Sequence, residues 1–354
     1  MRGTRVAKDA TITPSSQQKL KKAFFFSLKL LITAGLMAII LYKVPLNEMI
    51  RRFHAISLTS LMWIFSWLIL GFLFSVWRWH SLIETTQPRA SFFCTMRGLM
   101  LERFLNQAIP TTLSGDIARS LVVVTPTYTF ASSFLSVVMD RLYALLGLGI
   151  SVVLVLAFLP HYVTNPITLL LIFVFDAGIV TCGLLTLFLP ISWIQYSLNL
   201  VSQIITKRNF PFERLQKLLD LRNLYTYQKP WLFLSCIVLT ILVHLCQLRA
   251  FQMLAIEMGA TSLSYWTTVI LITPAFFLAT IPISISGWGL REMGVIFMLG
   301  QLGISTGIAA GTSIAFGLAY AVLSISCGIA YISSGTLSKI HRNKQITPEE
   351  NHAS

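Results

Sequence analysis

Apolar residues in this chain come in runs too long for a water-soluble fold. Stretches at about 24–42, 61–77, 130–159, 167–189, 231–250 and 304–335 are dominated by Leu, Ile, Val, Phe and Ala, and apolar runs of about 20 residues read as membrane-spanning helices. Two further stretches, 91–120 and 264–300, are apolar but interrupted. The first contains Pro110 and Gly115, the second Pro282, Gly287 and Gly289. Proline lacks the amide proton that a helix interior uses and glycine loosens the backbone, so each stretch reads as helix, break, helix. Residues 47–53 mix charged and apolar side chains and predict a short amphipathic helix at the membrane surface. The pattern as a whole predicts an all-α polytopic membrane protein with about six full spans plus two broken, re-entrant helix pairs.

Composition sharpens this reading. The chain is 55% hydrophobic and 11% charged, with a mean hydropathy of +0.74, whereas soluble domains carry about 25% charged residues. The net charge of +14 would point to nucleic acid if the charges formed one patch, but they do not. Segments 1–23, 78–103, 190–230 and 336–354 hold 19 of the 27 Lys and Arg, and the loops assigned to the other side hold Lys43, Arg51, Arg52 and Arg249. That is the positive-inside bias of a protein of the cell (inner or plasma) membrane with both termini cytoplasmic. It excludes a nucleic-acid partner and divides the chain into a basic tail (1–23), one membrane domain (24–335) and a second tail (336–354). Within the domain, halves at about 61–189 and 231–335 flank a cytoplasmic linker at 190–230, whose basic part, 207–229, reads as an interfacial helix. The first 23 residues read as a retained tail, since no small-residue cleavage site follows them. Trp63, Trp67, Trp77 and Trp79 suit an aromatic belt. The five cysteines form no CxxC and sit in or beside apolar sequence, as buried inert thiols do. The six histidines show no paired metal spacing, so neither metal nor cofactor is expected.

An internal repeat runs through the two broken stretches. Ile109-Pro110-Thr111-Thr112-Leu113-Ser114-Gly115-Asp116-Ile117-Ala118-Arg119 aligns with Ile281-Pro282-Ile283-Ser284-Ile285-Ser286-Gly287-Trp288-Gly289-Leu290-Arg291 at a constant offset of 172 positions. Each copy is followed by a long apolar segment. Three crossings separate the copies, and an odd number turns the second upside down relative to the first. The result is an inverted repeat, a design that places binding sites between broken helices.

Charge occurs where the membrane should exclude it. Asp116, Arg119, Asp140, Arg141, Arg291 and Glu292 lie in or against apolar sequence, at about 2.5–3.5 kcal/mol each for a charged residue at a helix centre. Asp140 and Arg141 project about 100° apart on a helix, so each needs a partner elsewhere, and Asp140 suits an arginine of a break. Three readings stand: buried ion pairs that hold the breaks, an electropositive cavity for a lipid headgroup, or an acid–base pair. Glu102, Arg103 and Asn106 precede the first break, and Ser114, Ser284 and Ser286 lie within the two breaks; of these, Arg103, Asn106 and the three serines join the charged residues as candidate cavity lining. Gly307, Gly311, Ser313 and Gly317 form a small-residue packing face. Asp176 lies inside a span in want of an arginine, and His244 reads as a satisfied core histidine.

In the order Arg103, Asn106, Ile109-Pro110, Gly115-Asp116, Arg119, Asp140-Arg141 and Pro282-Ile283-Ser284-Ile285-Ser286-Gly287-Trp288-Gly289-Leu290-Arg291-Glu292, the chain resembles the lysylphosphatidylglycerol synthase transmembrane-region family over about 24–335. Those are flippase-like membrane proteins. The soluble domain that transfers lysine to a lipid in the best-known members is not expected here, since the sequence ends some twenty residues past its last apolar run. The resemblance implies movement of a phospholipid or lipid-linked product between leaflets. In that reading Arg119, Arg141 and Arg291 attract an anionic or phosphate-bearing lipid while Asp116, Asp140 and Glu292 orient them. Two rivals remain. One is an intramembrane lipid-modifying transferase, for which no nucleophile–base pair is evident. The other is a scaffold subunit partnered with a lipid-synthesis enzyme. No GxxxxGK[ST] motif is present, so transport would draw on a gradient or mass action.

Overall fold

The computed structural model describes residues 16–44, 46–87, 90–109, 112–126, 128–158, 166–188, 223, 228–280 and 283–335. Pro110, Pro282, the 336–354 tail, most of the 1–23 tail and nearly all of the 190–230 linker, with its expected basic helix, lie outside the described residues.

The order of elements is α1 (Ser16–Lys43), α2 (Leu46–Ala55), α3 (Leu58–Thr86), α4 (Phe92–Ala108), α5 (Thr112–Val122), α6 (Phe130–Phe158) and α7 (Pro166–Phe188), then α8 (Pro230–Glu257), α9 (Tyr265–Thr280), α10 (Leu290–Gly300) and α11 (Thr306–Ser333). A single 3-10 turn, Ile285–Gly287, lies between α9 and α10. The protein is an all-α polytopic membrane protein. Helices α3, α6, α8 and α11 are long and apolar enough to cross a bilayer, and shorter apolar stretches occupy Ser27–Tyr42 of α1, Ile172–Leu185 of α7 and Tyr265–Thr280. The amphipathic segment expected near 47–53 is α2, and both interrupted stretches are helix–break–helix hairpins, α4–α5 and α9–α10.

Local chemistry sets these boundaries. Ser57 caps α3 by accepting a hydrogen bond from the Ser60 amide at 3.0 Å, and Ser305 does the same for α11 through the Ile308 amide, each filling an amide valence that a helix start leaves open. The start of α10 is closed by Glu292, whose carboxylate folds back onto the Gly289 amide at 2.6 Å. Gly289 has φ +88, and a Cβ there would lie 2.7 Å from the Leu36 side chain of α1, so both the backbone and the space require glycine.

The repeat read from eleven residues extends to eight of the helices, leaving α1, α2 and α7 outside it. One half runs α3, α4–α5, α6, and the other α8, α9–α10, α11, with each long helix beginning 172 to 176 positions after its counterpart. Packing repeats as well: α4 lies against α11, and α9 against α6. Helices α3 and α8, equivalents of one another, form the most extensive helix–helix contact in the described residues. They are antiparallel, because the Ser60 hydroxyl reaches Glu257 while Arg78 reaches Thr240. Two equivalent spanning helices packed antiparallel are related by an axis in the membrane plane, which is the geometry of an inverted repeat. Gly71 permits the crossing, since a Cβ on it would stand only 3.3 Å from Cys246 Cβ and 3.5 Å from the Val243 carbonyl.

Three expectations need correction. The second span does not stop near residue 77 but continues to Thr86, so Arg78 is a buried residue of the bundle rather than a flanking cytoplasmic charge. Trp79 is fully buried and donates to the Ser136 hydroxyl at 3.1 Å, because it packs under a guanidinium instead of joining an interfacial belt; Trp63 and Trp77 are exposed. Of the cysteines, Cys236, Cys246 and Cys327 are buried, Cys94 is half-buried and Cys182 is exposed.

Candidate functional site

The first hairpin is held by six charges that neutralise one another. Asp140 of α6 accepts from Arg78 of α3 at 2.7 Å through one oxygen and from Arg119 of α5 at 3.0 Å through the other. Arg119 also pairs with Glu102 of α4 at 3.1 Å and with Asp116 at 3.5 Å. Arg141 pairs with Asp116 at 2.7 Å and with Glu102. Three arginines and three carboxylates therefore tie four helices together. The helical spacing explains the division of labour, because Asp140 and Arg141 project in different directions and each finds its own partners. The Arg119 guanidinium also lies over the Trp79 ring, 4.9 Å from its centroid, a cation–π contact that is strong when desolvated. Burial differs sharply among the cations. Side-chain exposure is 1% for Arg119 and 7% for Arg78 but 47% for Arg141.

The second hairpin repeats this plan with fewer charges. Arg291, the counterpart of Arg119, pairs with its neighbour Glu292 at 2.5 Å and donates from Nε to the Ser313 hydroxyl of α11 at 3.2 Å. As Arg119 is anchored to Asp140 of α6, so Arg291 is anchored to Ser313 of α11, in each half the long helix that follows. Its guanidinium stacks 5.0 Å from the Trp288 ring. Gly317 leaves the room for this, since a Cβ there would collide with Arg291 and lie 2.8 Å from the Trp288 ring. The small-residue face of α11 thus serves packing at Gly317 and at Gly311, where a Cβ would meet the Met258 methyl at 2.5 Å.

The two breaks meet. Ser286, in the left-handed region at φ 51, donates its hydroxyl to the carbonyl of Asn106 at 3.0 Å. The Ile285 amide donates to the Thr33 hydroxyl of α1 at 2.9 Å, so α1 closes one flank of the junction. Gly115 lies directly under α4, where a Cβ would collide with the Asn106 amide and lie 2.7 Å from the Glu102 carbonyl. Around the junction several polar atoms are buried without a hydrogen-bond partner: Nε of Arg103, Oδ1 of Asn106 and Oγ of Ser284. Arg103 donates to the Tyr320 hydroxyl, and its guanidinium lies 5.0 Å from the centroids of both Phe72 and Tyr320. Among the described residues no carboxylate lies within ion-pair distance of it.

The structure therefore brings Asp116, Arg119, Asp140 and Arg141 into one network, Arg291 and Glu292 into a second, and Asn106 and Ser286 into contact. Ser114 was expected in the first break but is half-buried on α5, inside the helix, whereas Ser284 lies in the second break. Two members of the first network, Arg78 and Glu102, are not among the candidate cavity residues that the sequence offers. Arg78 counts among the flanking charges in sequence, and Glu102 stands there only as a polar residue preceding the first break. The available signal for Glu102 is a carboxylate within an interrupted apolar stretch, two helical turns before the break. Asp176 did not find an arginine. It is fully buried on α7, and neither carboxylate oxygen has a hydrogen-bond partner among the described residues. His244 lies 3.4 Å from the Ala144 carbonyl. Among the described residues no three His, Cys, Asp or Glu side chains come together to hold a metal ion.

Two broken-helix hairpins, in contact through Ser286 and Asn106 and each braced by its own buried ion pairs, form the frame of a multi-pass helical membrane protein. The chain belongs to the lysylphosphatidylglycerol synthase TM region family, whose model matches residues 26–328. Membership makes it an integral membrane protein of a family concerned with membrane lipid. No curated protein matches the chain.

Proposed function

We propose that this protein moves a phosphate-bearing lipid between leaflets along the junction of its two breaks, with each hairpin entering the membrane re-entrantly from its own side. Irregular backbone at membrane depth is tolerated where it is buried in protein or lines a wet cavity, and this reading gives it that role. The observation that carries the proposal is Arg103. It is a cation at the junction with no carboxylate partner among the described residues and a buried Nε without an acceptor, next to Asn106, whose own Oδ1 is unpaired. A phosphate oxygen supplies the missing acceptor.

The remaining cations divide by burial. Arg78, Arg119 and Arg291 are enclosed against carboxylates, and their role is to hold the breaks. Half-exposed Arg141 is the second cation a headgroup reaches. Asp116, Asp140 and Glu292 orient the guanidiniums, and Ser114, Ser284 and Ser286 line the path. In this reading the protein lies in the cell membrane with both termini cytoplasmic.

The test is leaflet exchange of a headgroup-labelled phosphatidylglycerol in vesicles containing the full chain. The expected result is exchange above protein-free vesicles, reduced about tenfold or more in Arg103→Gln and less in Arg103→Lys, the scale of one lost charge-assisted hydrogen bond. Unchanged exchange in a folded Arg103→Gln variant, or none above background in the parent, rules the reading out.

A further inference from the structure

A second lipid position lies away from that junction. Where α3 and α8 cross, with the start of α9 beside them, they enclose an open-sided cavity of about 390 Å³. Its walls are apolar over most of their length, formed by Leu70, Phe74, Leu242 and Leu245. One end is different in kind, with Trp67, Tyr265 and Arg249 grouped there. Arg249 donates to the Gln252 side chain and lies 5.7 Å from the centroid of the Tyr265 ring. Both partners are neutral, and among the described residues no carboxylate is within ion-pair distance of it.

Depth identifies what completes the site. Helix α8 has 28 residues and is about 42 Å long at 1.5 Å per residue, against about 30 Å of hydrocarbon core. Arg249 lies eight residues before the end of α8 at Glu257, about 12 Å along the axis, so its Cα sits roughly 6 Å inside the hydrocarbon boundary if the helix is centred. An arginine at that depth extends toward the headgroup layer, where the anions are lipid phosphates. From Arg249 the groove runs back to Leu242, about two helical turns toward the bilayer centre. A cation and two aromatic rings at the interfacial end, with an apolar slot leading inward, match the two parts of one molecule. We infer that this groove binds a phospholipid, with its phosphate on Arg249 and an acyl chain lying along the open groove beside the α3–α8 crossing.

The inference concerns equilibrium binding and holds whether or not the chain moves lipid. The experiment uses the full chain, stripped of lipid in detergent and titrated with phosphatidylglycerol or with a diacylglycerol of the same chains, and counts bound lipid by native mass spectrometry. Leu70→Trp fills the slot from a partly exposed position (37% exposed), and Arg249→Gln removes the charge. The expected result is one phosphatidylglycerol held in preference to diacylglycerol, weakened about tenfold by Arg249→Gln and lost in Leu70→Trp. Should Leu70→Trp fail to give monodisperse helical protein, Leu245→Phe takes its place. Phosphatidylglycerol binding that is equal in the parent and both folded variants, or diacylglycerol binding as tight as that of phosphatidylglycerol, overturns the inference.

Discussion

Ser286 and Asn106, 180 positions apart, touch: the serine hydroxyl donates to the asparagine carbonyl at 3.0 Å. Each residue belongs to a different broken hairpin, so this one hydrogen bond records that two inverted halves meet at their tips. It also brings the irregular turn of the second hairpin against the last turn of α4, whose Asn106 carbonyl it supplies with a donor.

Crosslinking tests that meeting directly. With the five native cysteines replaced, Asn106→Cys and Ser286→Cys together should join rapidly under a short thiol-specific bifunctional reagent. Asn106→Cys with Gly300→Cys serves as control. A mobility shift on electrophoresis reports the joining, and absence of any shift in folded protein contradicts the tip-to-tip arrangement.

Asp140 holds two arginines at once, Arg78 at 2.7 Å and Arg119 at 3.0 Å. Breaking a buried pair leaves an uncompensated charge, at about 3–5 kcal/mol. Asp140→Leu should therefore lower the unfolding temperature in detergent strongly. Asp140→Asn should lower it less, because the amide oxygen still accepts from one guanidinium. A proton-transfer role predicts the opposite pattern for Asn, a fully stable protein with leaflet exchange abolished, and that result would sink the structural reading.

Gly115→Ala forces a methyl group against the Asn106 side chain and the Glu102 carbonyl. Overpacking of this kind costs about 1–3 kcal/mol. Gly300, whose Cβ position has nothing within 4 Å, is the matched control, and its alanine variant should unfold within a degree or two of the parent. Adding Asn106→Ala to Gly115→Ala should restore only part of the loss, because the Glu102 carbonyl at 2.7 Å remains. Thermal unfolding of the four proteins is the measurement.

Asp176 is fully buried with both carboxylate oxygens lacking a hydrogen-bond partner among the described residues. A buried polar group without a partner is destabilising, so Asp176→Leu should raise the unfolding temperature, and Asp176→Asn should raise it less. A fall in stability for Asp176→Leu contradicts an unpartnered, destabilising carboxylate. Exchange measured beside stability shows whether the gain comes at the expense of activity.

The sequence by itself determined where the helices lie and that they come as two related sets. Long apolar runs specify spans because the bilayer offers the backbone no partner but itself. Gly287 and Gly289, both at positive φ, fall in the interruption before α10, whereas Gly115, expected in a break, lies inside α5 and gives it close packing under α4; the constant offset of 172 positions pairs α3 with α8 and α6 with α11. The angular step between Asp140 and Arg141 already required that they have separate partners. What only the tertiary structure decided is which charges meet. Arg78 reads as a flanking charge in any linear window, because nothing in hydropathy separates a cation at the end of a span from one buried within it. Its fate depends on Asp140, 62 positions away, coming to lie against α3. Arg103 and Arg119 are equally plausible cations in sequence, yet packing gives one a sandwich of Phe72 and Tyr320 and the other three carboxylates. Periodicity is a property of one helix, whereas ion pairing in a bundle is a property of several, and Coulomb attraction acts on distances that exist only once the helices have packed.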